Sequence, residues 1–174
     1  MPSDELASPT IRPETSADLS AIRSLTERAF RDAEHTSHTE HFIVDALRNA
    51  NALSVSLVAE IDGQLVGHIA FSPITCTDGS LQWFGLGPIS VHPDYQRKGI
   101  GTALVVAGLA ALCELDAHGC VVLGEPTFYR RFGFRYDPHC VLEGVPPEYF
   151  QMLSIGEQKL RGVVSYHAAL GATA

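Results

Sequence analysis

The sequence predicts a single α/β domain with its elements in the order β-α-α-β-β-β-α-β-α-β-β. Two β-rich runs within residues 54–74 flank Asp62-Gly63, a dipeptide typical of a two-residue hairpin turn. The run from Gly101 to Asp116 is rich in Ala, Leu and Val and indicates a long helix. The chain has 174 residues, 45% of them hydrophobic, with no repeats and no internal linker. One hydrophobic core is therefore expected.

Shorter signals predict the remaining elements. Strands are expected at 10–13, 83–91, 120–123 and 162–167, an extended segment beginning at 133–134, and helices at 17–30, 42–50 and 127–132. Gly87-Pro88 interrupts the strand at 83–91, and because proline cannot donate to a β-ladder, a bulge or an edge break is expected there. Residues 1–9 are expected to form a flexible tail, residues 10–174 the domain, and residues 137–150, rich in Pro and Gly, a loop.

The composition argues against several classes of function. Twelve Lys and Arg against 20 Asp and Glu give a net charge of −8, which disfavours nucleic-acid binding because phosphate contacts need massed cations. The sequence has no run of about 18 apolar residues, so no membrane span is expected, and its acidic N-terminus does not resemble a secretory signal. The four cysteines form no CxxC pair, which favours reduced thiols and a cytoplasmic location.

The few cations are unevenly distributed. Five of the twelve lie between positions 97 and 135, namely Arg97, Lys98, Arg130, Arg131 and Arg135. A local basic cluster on an acidic protein could bind a small polyanion. The alternative is that these are scattered surface cations.

The segment with the clearest chemical meaning lies before the long helix. A strand ending near Val91 leads through a turn into Gln-Arg-Lys-Gly-Ile-Gly at residues 96–101. Glycines at a helix start allow close approach of a ligand and expose unpaired N–H groups, and the helix dipole adds positive potential there. These features favour an anion site, most naturally for phosphate. The Walker A pattern is absent, and Leu104 replaces the third glycine of the dinucleotide fingerprint. A tight turn with no ligand is the alternative.

Two motifs together resemble those of the Gcn5-related N-acetyltransferase (GNAT) superfamily. Gln96, Gly99 and Gly101 fill the fixed positions of its motif A, [RQ]-x-x-G-x-[GA]. Residues 124–134, GEPTFYRRFGF, resemble its motif B, which ends in Tyr-x-x-x-Gly-Phe. The resemblance covers roughly residues 10–167, and the GEPTFYRRFGF form is most similar to the YhbS-like subgroup of acetyltransferases.

The resemblance implies a fold and a co-substrate. The fold is a central, mixed and mostly antiparallel sheet flanked by helices, and the acyl donor is acetyl-CoA. In the family, the pyrophosphate lies on backbone amides of motif A, and the pantetheine extends along the fourth strand. The positions of this chain that match are Ile89 and Val91 on the strand, and Gln96, Arg97, Lys98, Gly99, Ile100, Gly101 and Thr102 in the loop and helix start.

The resemblance also implies catalytic residues. Tyr129 matches the family's tyrosine that protonates the sulfur of CoA, and its alternative is a core tyrosine with a hydrogen-bonded hydroxyl. Glu125, after the strand at 120–123, is the first choice for a base, although it could equally be a first-turn helix acid. Glu60 and a water chain without any side-chain base are the other options. The family's Asn in this region is absent, since the stretch reads Gly124-Glu125-Pro126.

The implied activity is transfer of the acetyl group of acetyl-CoA to a primary amine on a small molecule or peptide. The alternative from another class is a non-catalytic module that binds or senses acyl-CoA. The acceptor would contact the loops at 31–41, 73–82 and 137–160, whose sequences carry no recognisable code. Six acidic residues in these loops suit a cationic acceptor but are equally consistent with solvated surface: Asp32, Glu34, Asp78, Asp137, Glu143 and Glu148.

Two further groups of residues have open interpretations. His35, His38 and His41 recur every three residues, but the loop-like stretch favours solvated histidines over a metal site, and no metal is expected. In the family this region often borders the acceptor, so the histidines could help to select it. The apolar residues Phe150, Met152, Leu153 and Ile155 are expected in the core or at the surface of a homodimer.

Overall fold

The computed structural model describes residues 8–34 and 36–173. The strands are β1 (Thr10–Pro13), β2 (Val55–Ile61), β3 (Gln64–Pro73), β4 (Thr75–Cys76), β5 (Trp83–Val91), β6 (Gly119–Leu123), β7 (Cys140–Val141), β8 (Phe150–Ser154) and β9 (Gly162–Ser165). The helices are α1 (Leu19–Phe30), α2 (Glu40–Asn49), α3 (Ile100–Glu114) and α4 (Pro126–Tyr129). With the two-residue strands β4 and β7 set aside, the order of strands and helices is the predicted one, except that β8 stands where the extended segment at 133–134 was expected. Of the predicted tail at 1–9, residues 1–7 lie outside the described residues.

Six strands form the central sheet in the order β1-β2-β3-β5-β6-β8. Four of its neighbouring pairs are antiparallel, and β5 and β6 are parallel. The sheet is therefore mixed and mostly antiparallel, as the resemblance implied. A smaller sheet has the order β4-β9-β7. Among the described residues, no helix combines the length and the apolar character needed to cross a bilayer.

The predicted hairpin joins β2 to β3. Asp62 and Gly63 both have positive φ, 50° and 78°, which is the backbone form that a type I′ turn requires. The register runs from Ile61 opposite Gln64 to Val55 opposite Phe71. The Asp-Gly signal is thus confirmed at its predicted position.

Helix α3 packs closely on the sheet because two glycines remove side chains from the contact. A Cβ on Gly108 of the helix would lie 2.4 Å from Cε2 of Phe71, and a Cβ on Gly67 of β3 would lie 2.9 Å from Cδ1 of Leu104. Such distances are incompatible with a side chain at either position unless its neighbour moves. The close packing positions the start of α3 beside the end of β5.

A bulge interrupts β5 at the predicted place. Ile69 of β3 faces Ile89, and Phe71 faces Leu86, so two steps along β3 correspond to three along β5. Beyond this point β5 keeps β3 as its neighbour as far as Val91, whereas its ladder with β6 ends at Leu86 opposite Val122. The strands β5 and β6 therefore separate, and residues 87–91 have an edge without a strand partner among the described residues.

The prediction of an extended segment beginning at Gly133-Phe134 is wrong. Gly133 ends a 3-10 turn with φ 101°, and beyond it Arg135 forms only an isolated bridge to Met152. The strand beside β6 is β8, which begins at the end of the predicted loop 137–150. Phe150 and Met152 of β8 are buried, as expected for core residues. Leu153 and Ile155 are partly buried against the main core. The homodimer stays a prediction.

Candidate active site

The loop between β5 and α3 leads into a helix start whose first backbone N–H groups have no intrahelical partner. Gly99 is the residue before the helix and has φ 84°, and Arg97 also has a positive φ of 61°. The first intrahelical bond runs from the N–H of Ala103 to the carbonyl of Gly99 at 3.0 Å. The N–H groups of the three residues from Ile100 to Thr102 precede this bond, so they and the positive end of a 15-residue helix are available to an anion.

A pocket of about 720 Å³ opens onto these amides. It is bounded by the free edge of β5, the loop before α3, the first turn of α3 and the segment around α4. Its lining residues are Ile89, Val91, Tyr95, Gln96, Arg97, Gly99, Ile100, Gly101, Thr102, Gly124, Glu125, Phe128, Tyr129 and Arg131. The volume falls within the range of about 300–1,000 Å³ that is usual for small-molecule sites.

The pocket brings together all the predicted site residues except one. Ile89 and Val91 lie on its strand side, Gln96, Arg97 and Gly99 to Thr102 on its loop and helix side, and Glu125 and Tyr129 on the α4 side. Lys98 does not line the pocket. Its Nζ lies 5.9 Å from the centre of the Tyr95 ring.

Gln96 contacts the end of β5 as well as the pocket. Its Nε2 donates a hydrogen bond of 3.1 Å to the carbonyl oxygen of Val91. This bond joins the loop to the strand edge. Gln96 therefore holds the loop in position, in addition to lining the pocket.

Four lining residues were not among the sequence predictions of the site: Tyr95, Gly124, Phe128 and Arg131. The guanidinium carbon of Arg131 lies 4.9 Å from the centre of the Phe128 ring, a cation–π distance. The basic cluster in the sequence pointed to Arg131 without assigning it to this site. Arg97 joins it in the pocket, whereas Arg135 donates instead to the carbonyls of Arg130 and Phe134.

Tyr129 lies at the inner end of the pocket and is 7% exposed. Its ring packs edge-on against Phe128 and Phe134, at 4.9 and 5.8 Å between ring centres. Burial, with a smaller effect of neighbouring Cys120, raises the pKa of Tyr129 to about 12. No described residue hydrogen-bonds its hydroxyl. The phenol therefore keeps its proton at neutral pH and has that proton free to donate.

Glu125 is an exposed residue that precedes α4 and lines the pocket. Its backbone carbonyl accepts the N–H groups of Phe128 and Tyr129 at 3.1 and 3.2 Å, and its side chain makes no capping hydrogen bond. The other carboxylate considered from sequence, Glu60, accepts a 2.6 Å hydrogen bond from Arg12 and does not line the pocket. Among the described residues that line the pocket, Glu125 is the one carboxylate.

Of the three spaced histidines, the structure describes His38 and His41, and these two do not share a helix. His35 lies outside the described residues. His38 has φ 58° and its Nδ1 lies 2.8 Å from the carbonyl of Phe30, whereas His41 is buried on α2 with its ring 4.0 Å from that of Phe42. Within residues 8–34 and 36–173, no three His, Cys, Asp or Glu side chains come together as metal ligands would.

Comparison with known proteins gives the family. Residues 52–136 match the acetyltransferase (GNAT) domain model. The chain is 36% identical over 165 residues to the uncharacterized N-acetyltransferase YhbS of Escherichia coli strain K12, covering 90% of this chain and 95% of that protein. The chain belongs to the GNAT family of acetyltransferases. The implied family, its fold and its class of enzyme are thereby confirmed.

Two solved GNAT structures are similar over nearly their whole length. A GNAT acetyltransferase from Brucella melitensis, in complex with acetyl-CoA, is 47% identical with a TM-score of 0.83, covering 93% of this chain and 97% of that one. Escherichia coli YhbS in complex with CoA is 32% identical with a TM-score of 0.86, covering 100% and 98%. Both relatives thus hold the co-substrate, or the product left from it, that motif A implies.

Proposed function

We propose that this GNAT protein transfers the acetyl group of acetyl-CoA directly to a primary amine, and that residues 10–174 form the single catalytic domain. The observation that supports this most directly is the pocket itself. In it, the free amides at the start of α3 and the free edge of β5 lead to the hydroxyl of Tyr129, which no described residue hydrogen-bonds. The relatives that hold acetyl-CoA or CoA support the same choice of co-substrate.

The residues present fit the two chemical parts of CoA. The pyrophosphate would take the amides of Ile100 to Thr102 and the positive charges of Arg97 and Arg131. The pantetheine carries amide groups, which can bond to an unpaired strand edge as a further strand would. The edge at 87–91, with Ile89 and Val91 in the pocket wall, offers that edge.

The reaction forms one bond and breaks one. It also removes one proton from the amine nitrogen and supplies one to the departing sulfur. The neutral amine of the acceptor attacks the thioester carbonyl carbon, a C–N bond forms, and the C–S bond breaks. Tyr129 donates its proton to the departing sulfur, and solvent restores it. The surplus proton on the nitrogen of the new C–N bond passes to Glu125, or to water beside it. The acceptor must also enter the reaction neutral, because free alkylamines with pKa near ~10.4 are mostly protonated at neutral pH.

The test is acetyl-CoA-dependent release of free thiol in the presence of a panel of amines, with the acetylated product identified by mass. Release that depends on both the amine and acetyl-CoA supports the proposal. Binding of acetyl-CoA with no release above hydrolysis, on any amine of the panel, would instead identify a sensing module. The panel spans apolar monoamines, polyamines, aminoglycosides, amino acids and short peptides, so that the result does not depend on one guess at the acceptor.

A further inference from the structure

A second pocket of about 390 Å³ meets the first at Ile89 and Tyr129, which line both. It lies where β5 and β6 separate, since Leu86 and Leu123 from these strands are among its walls. The first pocket leads from the start of α3 to Tyr129, and the second leads away from Tyr129 towards α1 and α2. A molecule in the second pocket would therefore reach the inner end of the first from the opposite side.

The walls of the second pocket are mainly apolar. Besides the shared residues, Phe30 of α1, Ile43 of α2, Leu142 and Leu170 contribute side chains. Its volume is at the lower end of the usual range for small-molecule sites of about 300–1,000 Å³. These features suit a small molecule with an apolar body and are poorly suited to a polyhydroxylated or multiply charged one.

One carboxylate interrupts the apolar wall. Glu40, at the start of α2, is the charged residue among the described residues lining this pocket. Its Oε2 is removed from solvent and has no hydrogen-bond partner within residues 8–34 and 36–173. An unpaired buried carboxylate oxygen is costly, so it marks a position where a ligand could supply the missing donor. An ammonium or amine N–H is the donor that matches its charge.

Tyr166 also lines this pocket and carries a second buried polar atom without a partner among the described residues. Its hydroxyl is buried without a partner, and its ring lies over β5, where a Cβ on Gly85 would come within 2.4 Å of Cε1. Burial also raises the pKa of Tyr166, so its hydroxyl stays a neutral donor and acceptor. The pocket thus combines apolar walls with two polar atoms that the described protein leaves unpaired.

An acetyl acceptor in the second pocket would meet the thioester beside Tyr129. We infer that this acceptor is a small primary amine on an apolar aliphatic or aromatic body, and that Glu40 determines this specificity by binding its amine group. The inference rests on the proposed acetyl transfer and adds the class of acceptor. Glu40 was not among the acidic loop residues considered from the sequence. Its place in the pocket follows from the fold, which brings the start of α2 to the separated strands.

The experiment compares phenethylamine and hexylamine with spermidine and kanamycin as acceptors for the wild-type protein. The inference predicts that the apolar monoamines have the higher kcat/KM, by at least about tenfold, because the apolar walls favour them. Glu40→Gln is expected to raise the KM for phenethylamine at least about tenfold, with the KM for acetyl-CoA changed less than twofold, since a charged hydrogen bond to the amine is weakened. Glu27→Gln, on the exposed face of α1, is the matched control and should change neither.

Phenethyl alcohol separates recognition of the amine from the shape of the pocket. It has the same body without a charge, so its inhibition constant against phenethylamine should be similar in wild type and Glu40→Gln. A parallel loss for amine and alcohol would overturn the role of Glu40. Thiol release with spermidine or kanamycin but not with the apolar amines would overturn the acceptor class while leaving acetyl transfer standing. No release with any amine would overturn both.

Discussion

The ring of Tyr129 lies directly on Gly124, at the point where β6 gives way to α4. A Cβ on Gly124 would lie 2.5 Å from Cε2 of Tyr129, so any side chain there must displace the ring. Gly124 is itself held by the neighbouring segment, because its N–H donates to the carbonyl of Tyr149 and its carbonyl accepts from the buried side chain of Gln151. The position of the proposed proton donor thus depends on a glycine fixed from two sides.

Gly124→Ala tests this contact. The added methyl group should move the Tyr129 ring away from the inner end of the pocket and lower kcat by roughly tenfold, since small misplacements of a catalytic group are costly. Gly156→Ala is the control, because a Cβ on Gly156 meets nothing within 4 Å. Steady-state kinetics with a confirmed acceptor provide the measurement. Equal kcat values for the two variants would mean that the ring position does not limit the reaction.

Tyr129→Phe removes the proposed donor while keeping the ring. We expect kcat to fall by about 100-fold and the KM for acetyl-CoA to stay within about threefold, as is usual when a general acid is lost. Tyr136→Phe, at a tyrosine that is half exposed, serves as the control. An undiminished kcat in Tyr129→Phe would remove the general acid from the mechanism.

The pH dependence follows from the raised pKa of Tyr129. The protonated phenol is the active form, and with a pKa of about 12 it persists throughout the range in which amines lose their proton. The wild-type kcat/KM should therefore rise from pH 7 towards pH 10 without a descending limb. A descending limb below pH 10 that disappears in Tyr129→Phe would show that the phenol ionises earlier than its burial implies.

Arg131 and Arg130 form a natural pair for testing the phosphate site. Arg131 lines the pocket against Phe128, whereas its neighbour Arg130 is exposed and does not line it. Arg131→Ala should weaken CoA binding roughly fivefold, corresponding to about 1 kcal/mol, and Arg130→Ala less than twofold. The difference in CoA affinity between the two variants should narrow in 0.5 M NaCl, because salt screens the attraction between Arg131 and the phosphates. Equal losses in both variants would indicate a diffuse field in place of a defined contact.

Asp18 pairs with Arg12 of β1, and this pair makes the stability of the protein depend on pH in acid. Its carboxylate accepts from Arg12 at 2.7 and 3.0 Å and from the N–H of Thr15 at 2.7 Å, and these bonds hold the pKa of Asp18 well below its usual value. Because the native pKa is the lower one, the stabilisation is complete above the unfolded pKa near ~3.9 and is lost as the pH falls below it.

Asp18→Asn should therefore lower the free energy of unfolding by about 1 kcal/mol at pH 7, with the difference from wild type shrinking between pH 5 and pH 2. Asp45→Asn is the control, since that carboxylate is 33% exposed and pairs with Arg23 and Arg48 at 3.2 Å. Urea unfolding at several pH values gives the free energy of unfolding of the wild type and of each variant. A difference that stays constant with pH would exclude ionisation of Asp18 as its origin.

The sequence allowed prediction of those elements that local chemistry determines. Asp62-Gly63 specifies its turn by backbone conformation alone, and the glycines of residues 96–101 specify the start of α3 in the same way. Strand β8 was missed because it follows Pro146-Pro147 and includes Gln151, a polar residue that is buried only because β6 and Gly124 lie beside it. Pairing between distant segments leaves no periodic signal in such a short strand.

In the candidate site, the sequence likewise predicted the parts that a local motif determines and missed the residues that tertiary packing brings in. Motif A specified the helix start, yet it could not show that Lys98 lies near the Tyr95 ring without lining the pocket itself. Phe128 of α4 and Arg131 just after it enter the site because the segment that follows β6 lines the pocket together with β5 and the start of α3, which is a tertiary relationship. Glu40 of α2 and Tyr129 line the same second pocket although they are far apart in the sequence, which is also a tertiary relationship.

The amides at the start of α3 are proposed to hold the pyrophosphate of CoA, and substitutions at Gly101 test this claim. A Cβ at Gly101 would make ordinary contacts, 3.7 Å to Phe128 and 3.9 Å to Val91, whereas valine adds two methyl groups beyond that Cβ, where these pocket-lining residues already lie. Calorimetric titration of CoA into wild type, Gly101→Ala and Gly101→Val gives the three affinities. We predict binding by wild type, binding within about threefold in the alanine variant, and a loss of at least about tenfold in the valine variant with little change in Tm. Wild-type affinity in Gly101→Val, or no heat on titrating CoA into wild type, would contradict the claim.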